Sequence, residues 1–228
     1  MLTLFTMERG KLAVYARGAR KQKSKFLSAS QVFCHGEYVL HQRNGLLILT
    51  QADVIETFYP ISGDILRYAH AAYACDLAAE LVNEHEPSPE LFSLLINALY
   101  HYAYHQADPA HVSRIFGLKL MDIAGYRPEL SACLHCGKEG QVFRFDLLEG
   151  GVVCPGCRAD WDRAGDIGLG TLKAMQFLLD SDFKQGLRLR LAAEAGEEMD
   201  RILDQYIESR IEKHLKSRDF LVKTLKMG

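Results

Sequence analysis

Apolar and polar residues alternate along the first part of the chain, and from about residue 60 the apolar positions recur every three to four residues. Leu2–Thr6 (LTLFT) and residues 11–16 (KLAVYA) read as strands turned at Glu8-Arg9-Gly10. Residues 31–39 and 46–50 are further strands, with Asn44-Gly45 as a hairpin turn signal. Residues 17–25, between these two sets, lack apolar periodicity and read as a flexible loop. Short strands at this spacing predict a small barrel or sheet. At Pro60 the pattern changes. Ser62-Gly63-Asp64 supplies a cap for a helix running to about residue 84, with Leu66, Ala69, Tyr73, Leu77 and Leu81 on one stripe. Pro87-Ser88-Pro89 ends it, and Ser88 caps a second helix over 90–105 whose apolar face carries Leu91, Leu94, Leu95, Ala98, Leu99 and Tyr102. Asp108-Pro109 starts a third helix, 110–124, stopped by Gly125. Thr171 caps a short helix over 172–179. A long final helix spans about 197–217, with Met199, Ile202, Leu203, Tyr206, Ile207, Ile211 and Leu215 on one side.

Four cysteines interrupt the helical half. Cys133-x2-Cys136 and Cys154-x2-Cys157 are separated by residues 137–153, the spacing of a tetrathiolate zinc site. Gly137 gives the first turn the backbone freedom it needs, and the small Pro155-Gly156 filler of the second lets amides point at sulfur. Residues 141–146 and 149–153 read as two short strands around a Gly-Gly turn, the outline of a zinc ribbon. Four thiolates leave no open coordination position, so the expected Zn2+ is structural rather than catalytic. The competing readings are two disulfides or free thiols. A redox Cys-x-x-Cys would follow a strand in a βαβ unit. His135 reads as a solvated bystander.

The chain is therefore expected to be α+β. An OB-like β-barrel over 1–60 precedes a helical domain over 61–228, with the ribbon at about 130–160. Its 228 residues and 48% apolar content allow a sizeable core. The net charge of −2 gives no global bias toward nucleic acid or membrane. It hides a local asymmetry: residues 1–30 hold seven cations against Glu8 alone, leaving +6. No run of about 18 apolar residues predicts a membrane span. The start lacks the basic and apolar regions of a signal peptide. Cys34 and Cys75 are isolated and read as buried free thiols in a reducing cytoplasm.

The basic loop is the second chemical clue. Arg17, Arg20, Lys21, Lys23 and Lys25 suit several phosphates, and Phe5, Tyr15 and Phe26 are candidate stacking platforms for unpaired bases. The plainer alternative is a solvated loop with Phe5 and Tyr15 in the barrel core. Arg210, Lys213, Lys216, Arg218, Lys223 and Lys226, diluted by Glu212 and Asp219, read as a solvated helix end. His101 and His105 lie four apart but miss the His-Glu-x-x-His pattern, so an ordinary polar helix face is expected. Phosphate-loop, dinucleotide and nucleophile-elbow motifs are absent. The zinc-deaminase pattern fits poorly, since its His-x-Glu is only His35-Gly36-Glu37, far upstream. Asp160, Asp162 and Asp166 have no evident catalytic partner. The chain reads as non-enzymatic.

Three stretches together resemble the RecO family of bacterial recombination mediators and DNA repair proteins: residues 3–24 (TLFTMERGKLAVYARGARKQKS), residues 114–128 (RIFGLKLMDIAGYRP) and Cys133-Leu-His-Cys136-Gly137. The likeness runs through the chain in this order. It implies an N-terminal OB barrel, a helical domain and a zinc ribbon. It also implies binding of single- and double-stranded DNA and annealing of complementary strands. The implied partners are RecR and single-stranded DNA-binding protein, with RecA loaded onto the coated DNA, in a cytoplasmic, nucleoid-associated setting. Carried onto this chain, the DNA-binding positions are Arg17, Arg20, Lys21, Lys23 and Lys25. Arg114 and Lys119, on the matching helix, are candidates for an acidic protein tail. Family members usually have a further strand before the Leu-Phe-Thr stretch, so an incomplete barrel or an upstream start is expected here. The alternative function is a zinc-stabilised protein-interaction adaptor without intrinsic DNA binding.

Overall fold

The computed structural model describes residues 1–157, 164–211 and 213–226. Asp160, Asp162 and Glu212, named above, lie outside them. The chain forms two compact units, Met1–Gln106 with Lys216–Gly228, and Ala107–Leu215. The change from strand to helix near Pro60 falls inside the first unit.

The first unit opens with β1 (Leu2–Thr6), β2 (Gly10–Tyr15), β3 (His35–Arg43) and β4 (Leu46–Glu56), in sheet order β1-β2-β4-β3. β1 and β2 are antiparallel, as are β3 and β4, whereas β2 and β4 pair in parallel through Val14↔Leu47 and Tyr15↔Ile48. β1 and β3 are the edge strands. Asn44 and Gly45 turn the long hairpin with φ of 50° and 77°, the left-handed pair that matches strand twist. Period-2 alternation buries Leu12, Val14 and Leu49 on one face.

Ala19 and Phe26 join that same cluster, which corrects two expectations. Residues 17–25 are not a flexible arm. They form a chain of hydrogen-bonded turns (Ala19 N to Ala16 O, Lys21 N to Gly18 O, Ser24 N to Lys21 O) pinned at both ends by apolar side chains. Phe26 is in the core and offers no face to a base. Periodicity misses such a segment because each turn inserts only one anchor.

Helices α1 (Ile65–Leu81) and α2 (Pro89–Tyr104) follow. Asp64 caps α1, its carboxylate accepting from the Leu66 and Arg67 amides at 2.9 and 3.1 Å. Ser88 occupies the N-cap of α2 without a side-chain bond; Pro89, which has no amide hydrogen to satisfy, begins the helix. Lys11 Nζ donates to the Ala79 carbonyl at 2.6 Å, tying β2 to the end of α1. A later helix, Lys216–Leu225, returns to pack on α1, where Tyr68 meets Phe220 edge-on.

The second unit is built from α3 (Pro109–Ile123), β5 (Phe143–Asp146), β6 (Gly151–Val153), β7 (Gly165–Ile167), α4 (Leu169–Asp180), α5 (Phe183–Gly186) and α6 (Ala193–Arg210). The helix Lys216–Leu225 is α7. α3 buries Val112, Ile115, Phe116, Leu118, Leu120 and Met121 against α4 and α6. The three strands form an antiparallel sheet in the order β6-β5-β7. Two further expectations change here. Gly168, not Thr171, is the N-cap of α4, and Thr171 is buried within its first turn. The expected long final helix is two helices in different units. Ile211 turns extended at φ −103°, ψ 104°, yet Ile211 and Leu215 stay buried, so the apolar period runs on through a break it does not reveal.

Candidate metal centre and nucleic-acid interface

Each cysteine pair is set by a short turn. The Gly137 amide donates to the Cys133 carbonyl at 2.9 Å, with Gly137 at φ +66°, and the Cys157 amide donates to the Cys154 carbonyl at 3.0 Å. The Leu134 amide donates to the Val152 carbonyl at 2.9 Å, which lays the first turn beside β6. The four Sγ atoms lie within 4.8 Å of one another. Three separations are 3.8 Å (Cys133–Cys157), 3.6 Å (Cys136–Cys154) and 4.0 Å (Cys154–Cys157). A tetrahedron with metal–sulfur bonds of about 2.3 Å has edges of about 3.8 Å. The donor set therefore fits a four-coordinate thiophilic ion, and the separations are far beyond the covalent sulfur–sulfur length of about 2.05 Å. His135 is exposed and outside this set.

Burial alone would push the Cys133 thiol up. The amides of Cys154, Cys136 and His135 aimed at its sulfur outweigh that and hold it down at about 6. The Cys154 amide lies 3.4 Å from this sulfur. Burial and neighbouring sulfurs push Cys157 the other way, up to about 12. Four sulfurs crowded this closely, with backbone amides aimed at one of them, form a site that a cation stabilises.

Among the described residues, the four cysteines form the one group of three or more His, Cys, Asp or Glu side chains placed to share an ion. The rings of His101 and His105 are 5.1 Å apart, within a cluster that includes Tyr100 and Tyr104. Asp166 is paired with Arg144 at 2.9 Å. Cys34 and Cys75 are free and half-buried, and burial pushes both thiols up, Cys75 to about 12.

In the first unit, Arg17, Arg20, Lys21, Lys23 and Lys25 are all exposed on the turns between β2 and β3. Lys25 is partly engaged: its Nζ donates to the Thr50 carbonyl at 3.0 Å and lies 4.8 Å from the Phe26 ring. Of the three aromatic candidates, Tyr15 is 46% exposed, Phe5 packs edge-on against Phe92 and Phe26 is buried. Tyr15 is thus the ring that presents a face to solvent beside the cations.

Arg114 and Lys119, on α3, are engaged within the second unit. Arg114 makes a two-point bond to Asp200, Nε to Oδ1 at 2.7 Å and Nη2 to Oδ2 at 2.6 Å, and its side chain is only 11% exposed. Lys119 Nζ donates to the carbonyls of Ser181 and Leu179 at the C-terminal end of α4. Arg114→Ala is expected to destabilise the second unit by about 2 kcal/mol, with solvent around Asp200 limiting the effect. A thermal scan checks this: a drop of roughly 4–8 °C is expected.

Sequence reasoning placed Arg210 on a solvated helix end. It is half-buried instead, its guanidinium 4.9 Å from the Tyr206 ring and 5.5 Å from that of Tyr126. Tyr206 is one helical turn away, but no local signal links Arg210 to Tyr126, which lies in a distant part of the chain.

Residues 1–58 match the family model described as Recombination protein O N terminal, and residues 62–219 match the one described as Recombination protein O C terminal. The chain belongs to the RecO family. Its OB-type N-terminal domain leads into the helical domain, with the cysteine cluster among the helices as in a zinc ribbon. The DNA repair protein RecO of Symbiobacterium thermophilum is 38% identical over 226 residues, covering 97% of this chain and 89% of the relative. That of Acetivibrio thermocellus is 30% identical over 228 residues, with 99% and 90% covered. That of Anaeromyxobacter dehalogenans is 38% identical over 227 residues, with 97% and 88% covered. No helix among the described residues is long and apolar enough to cross a membrane.

Proposed function

We propose that this RecO-family chain is a mediator of DNA repair and recombination. It binds single- and double-stranded DNA, anneals complementary strands and, with RecR, helps load RecA onto DNA coated by single-stranded DNA-binding protein. The observation that carries the reading is the row of exposed cations at Arg17, Arg20, Lys21 and Lys23, held on turns whose Ala19 and Phe26 are anchored in the sheet core. Cations on a braced segment neutralise phosphates without first being ordered, and each contact releases counterions. Neutralising two strands at once lowers the repulsion between them, which is the barrier to annealing. This is binding work and needs no bond chemistry. Tyr15 supplies a face on which an unpaired base can stack.

In this reading Cys133, Cys136, Cys154 and Cys157 hold one structural zinc ion. It takes no part in a reaction; it braces the ribbon. An acidic partner tail at Arg114 and Lys119 would have to compete with Asp200 and with the carbonyls of Leu179 and Ser181. Pull-down with the Arg114→Ala, Lys119→Ala double variant tests that competition, and unchanged capture would remove the two residues from the partner surface.

A second reading, the protein-interaction adaptor, is favoured by one observation. The first unit contains a cavity of about 790 Å³ lined in part by Leu2, Leu4, Tyr38, Leu95 and Leu99. Salt separates the two. Single-strand binding through phosphates weakens steeply with ionic strength, whereas an apolar protein contact does not. The test is wild-type binding to a labelled oligonucleotide across a salt series, with annealing followed by fluorophore–quencher pairing. Steep salt dependence and annealing accelerated about tenfold or more, as charge neutralisation allows, are expected. Absence of binding at low salt would favour the adaptor.

A further inference from the structure

The turn joining β5 to β6 is gripped by the last turn of α6. Tyr206 and Arg210 lie one helical turn apart on one face. Arg210 Nη2 donates to the Leu148 carbonyl at 2.7 Å and the Leu147 carbonyl at 3.3 Å. The guanidinium also rests against the rings of Tyr206 and Tyr126. The Tyr206 hydroxyl donates to the Tyr126 carbonyl at 2.8 Å, and its ring meets Phe145 edge-on at 5.5 Å. Gly150 completes the fit. Its φ of +77° excludes most side chains, and a Cβ there would stand 2.6 Å from the Tyr206 hydroxyl and 2.9 Å from Arg210 Nη2. Asp146 shapes the same turn by accepting from the Leu148 and Glu149 amides at 2.8 and 3.0 Å.

A short hydrogen-bond ladder runs from this grip to the sulfurs. The Gly150 carbonyl accepts from Glu129 N at 3.0 Å, the Glu129 carbonyl from Val152 N at 2.9 Å, and the Val152 carbonyl from Leu134 N at 2.9 Å. Leu134 sits inside the first cysteine turn. Val153 leads directly into Cys154, whose amide faces the Cys133 sulfur. The gripped turn thus stands at one end of the β5–β6 hairpin, while Cys154 follows its other end and the first cysteine turn is bonded to β6 beside it. The register that brings the two pairs within tetrahedral distance is the register that the grip holds.

We propose that Tyr206 and Arg210 are positioning residues for the metal centre: by clasping the β5–β6 turn they hold both cysteine pairs in register, so that metal retention and the clasp are coupled. The inference rests on the reading of the four cysteines as a metal site. Neither side chain is a ligand. Coupling between two sites is reciprocal, so the ion strengthens the clasp as much as the clasp holds the ion. Stripping the ion is accordingly expected to speed amide exchange at residues 147–150.

The test starts with wild-type protein. Elemental analysis gives its metal content, and cobalt(II) substitution reports thiolate ligation through the charge-transfer band. The loaded full chain is then challenged with excess chelator, and the half-time of that band is read for wild type, Arg210→Ala, Tyr206→Phe and Arg114→Ala. All four proteins should show the band at the start, because all four thiolates remain. Arg210→Ala is expected to lose the ion about tenfold faster, the low end for losing an outer hydrogen-bonding partner of a metal site. Tyr206→Phe, which removes one hydroxyl and carries the test if Arg210→Ala does not fold, is expected to lose it several-fold faster. Arg114→Ala lowers the melting temperature of the same unit through partners outside the ribbon, Asp108 and Asp200, and should lose metal at the wild-type rate. Wild-type kinetics in both clasp variants, or equal acceleration in Arg114→Ala, would overturn the coupling. Wild type without metal and without the thiolate band would overturn the metal reading itself, and the coupling with it, before any variant is measured.

Discussion

Cys133→Ser is expected to abolish stoichiometric metal binding and to destabilise the second unit by roughly 3 kcal/mol or more. The four sulfurs already stand near the edge lengths of a thiolate tetrahedron, so binding there adds directly to folding free energy. Structural zinc sites of this type contribute about 10–16 kcal/mol in isolated peptides, and a lost ligand forfeits at least a share of that. Serine is a poor replacement, because its hydroxyl stays protonated near neutrality and is a harder donor than thiolate. Cys133 is 2% exposed, so no water easily takes its place. For a chain of this size the loss corresponds to a melting temperature lower by roughly 6–12 °C. Elemental analysis and a thermal scan, each with and without chelator, are the measurements. Chelator should bring wild type down toward the variant and leave the variant unmoved. A variant that keeps both its metal content and its melting temperature would remove the structural role of the site.

The second large effect concerns DNA. Replacing Arg17, Arg20, Lys21 and Lys23 together with Ala is expected to flatten the salt dependence of single-strand binding. Each phosphate contact on a single strand contributes about 0.7 to the log–log slope, so four lost contacts reduce it by about 3. Through those contacts alone the wild type should weaken about 50-fold between 50 and 200 mM salt, and the variant should lack that component. All four side chains are exposed, so stability should change by no more than about 0.5 kcal/mol per site. Lys25 is left in place because its bond to the Thr50 carbonyl gives it a share in the fold. Annealing should fall with binding if neutralisation is its cause. A variant with wild-type affinity and slope would move the DNA contact away from this segment.

Which parts of this chain could be read before its structure follows from the range of the interactions involved. The cysteine tetrad was legible because two residues between ligands and a glycine in the turn are local facts. β1 was legible to the residue because alternation and the turn at residues 8–10 are local too, and Asp64 stands as a cap where the pattern placed it. Residues 17–25 were legible as chemistry but not as structure. Their charge is a count, whereas the burial of Ala19 and Phe26 depends on what the sheet presents to them. The split between α6 and α7 was hidden because Ile211 and Leu215 keep the helical period while serving a bend.

By itself, then, the sequence determined that strands come first and helices after, the four-cysteine cluster, the basic segment and the family, but not β7, α5 or the break before α7. Each rests on neighbours in the chain or on a motif spanning a few tens of residues. Tertiary structure alone decided which cations are engaged and which face solvent. Arg114 is held by Asp200 and Lys119 by two carbonyls, Arg210 lies between Tyr126 and Tyr206, and Arg17, Arg20, Lys21 and Lys23 are exposed. The reason is physical: a side-chain charge carries no record of its partner. Asp200, the Leu179 and Ser181 carbonyls and Tyr126 are remote in sequence from the cations they meet, and are brought close only when burial of the apolar faces folds the chain.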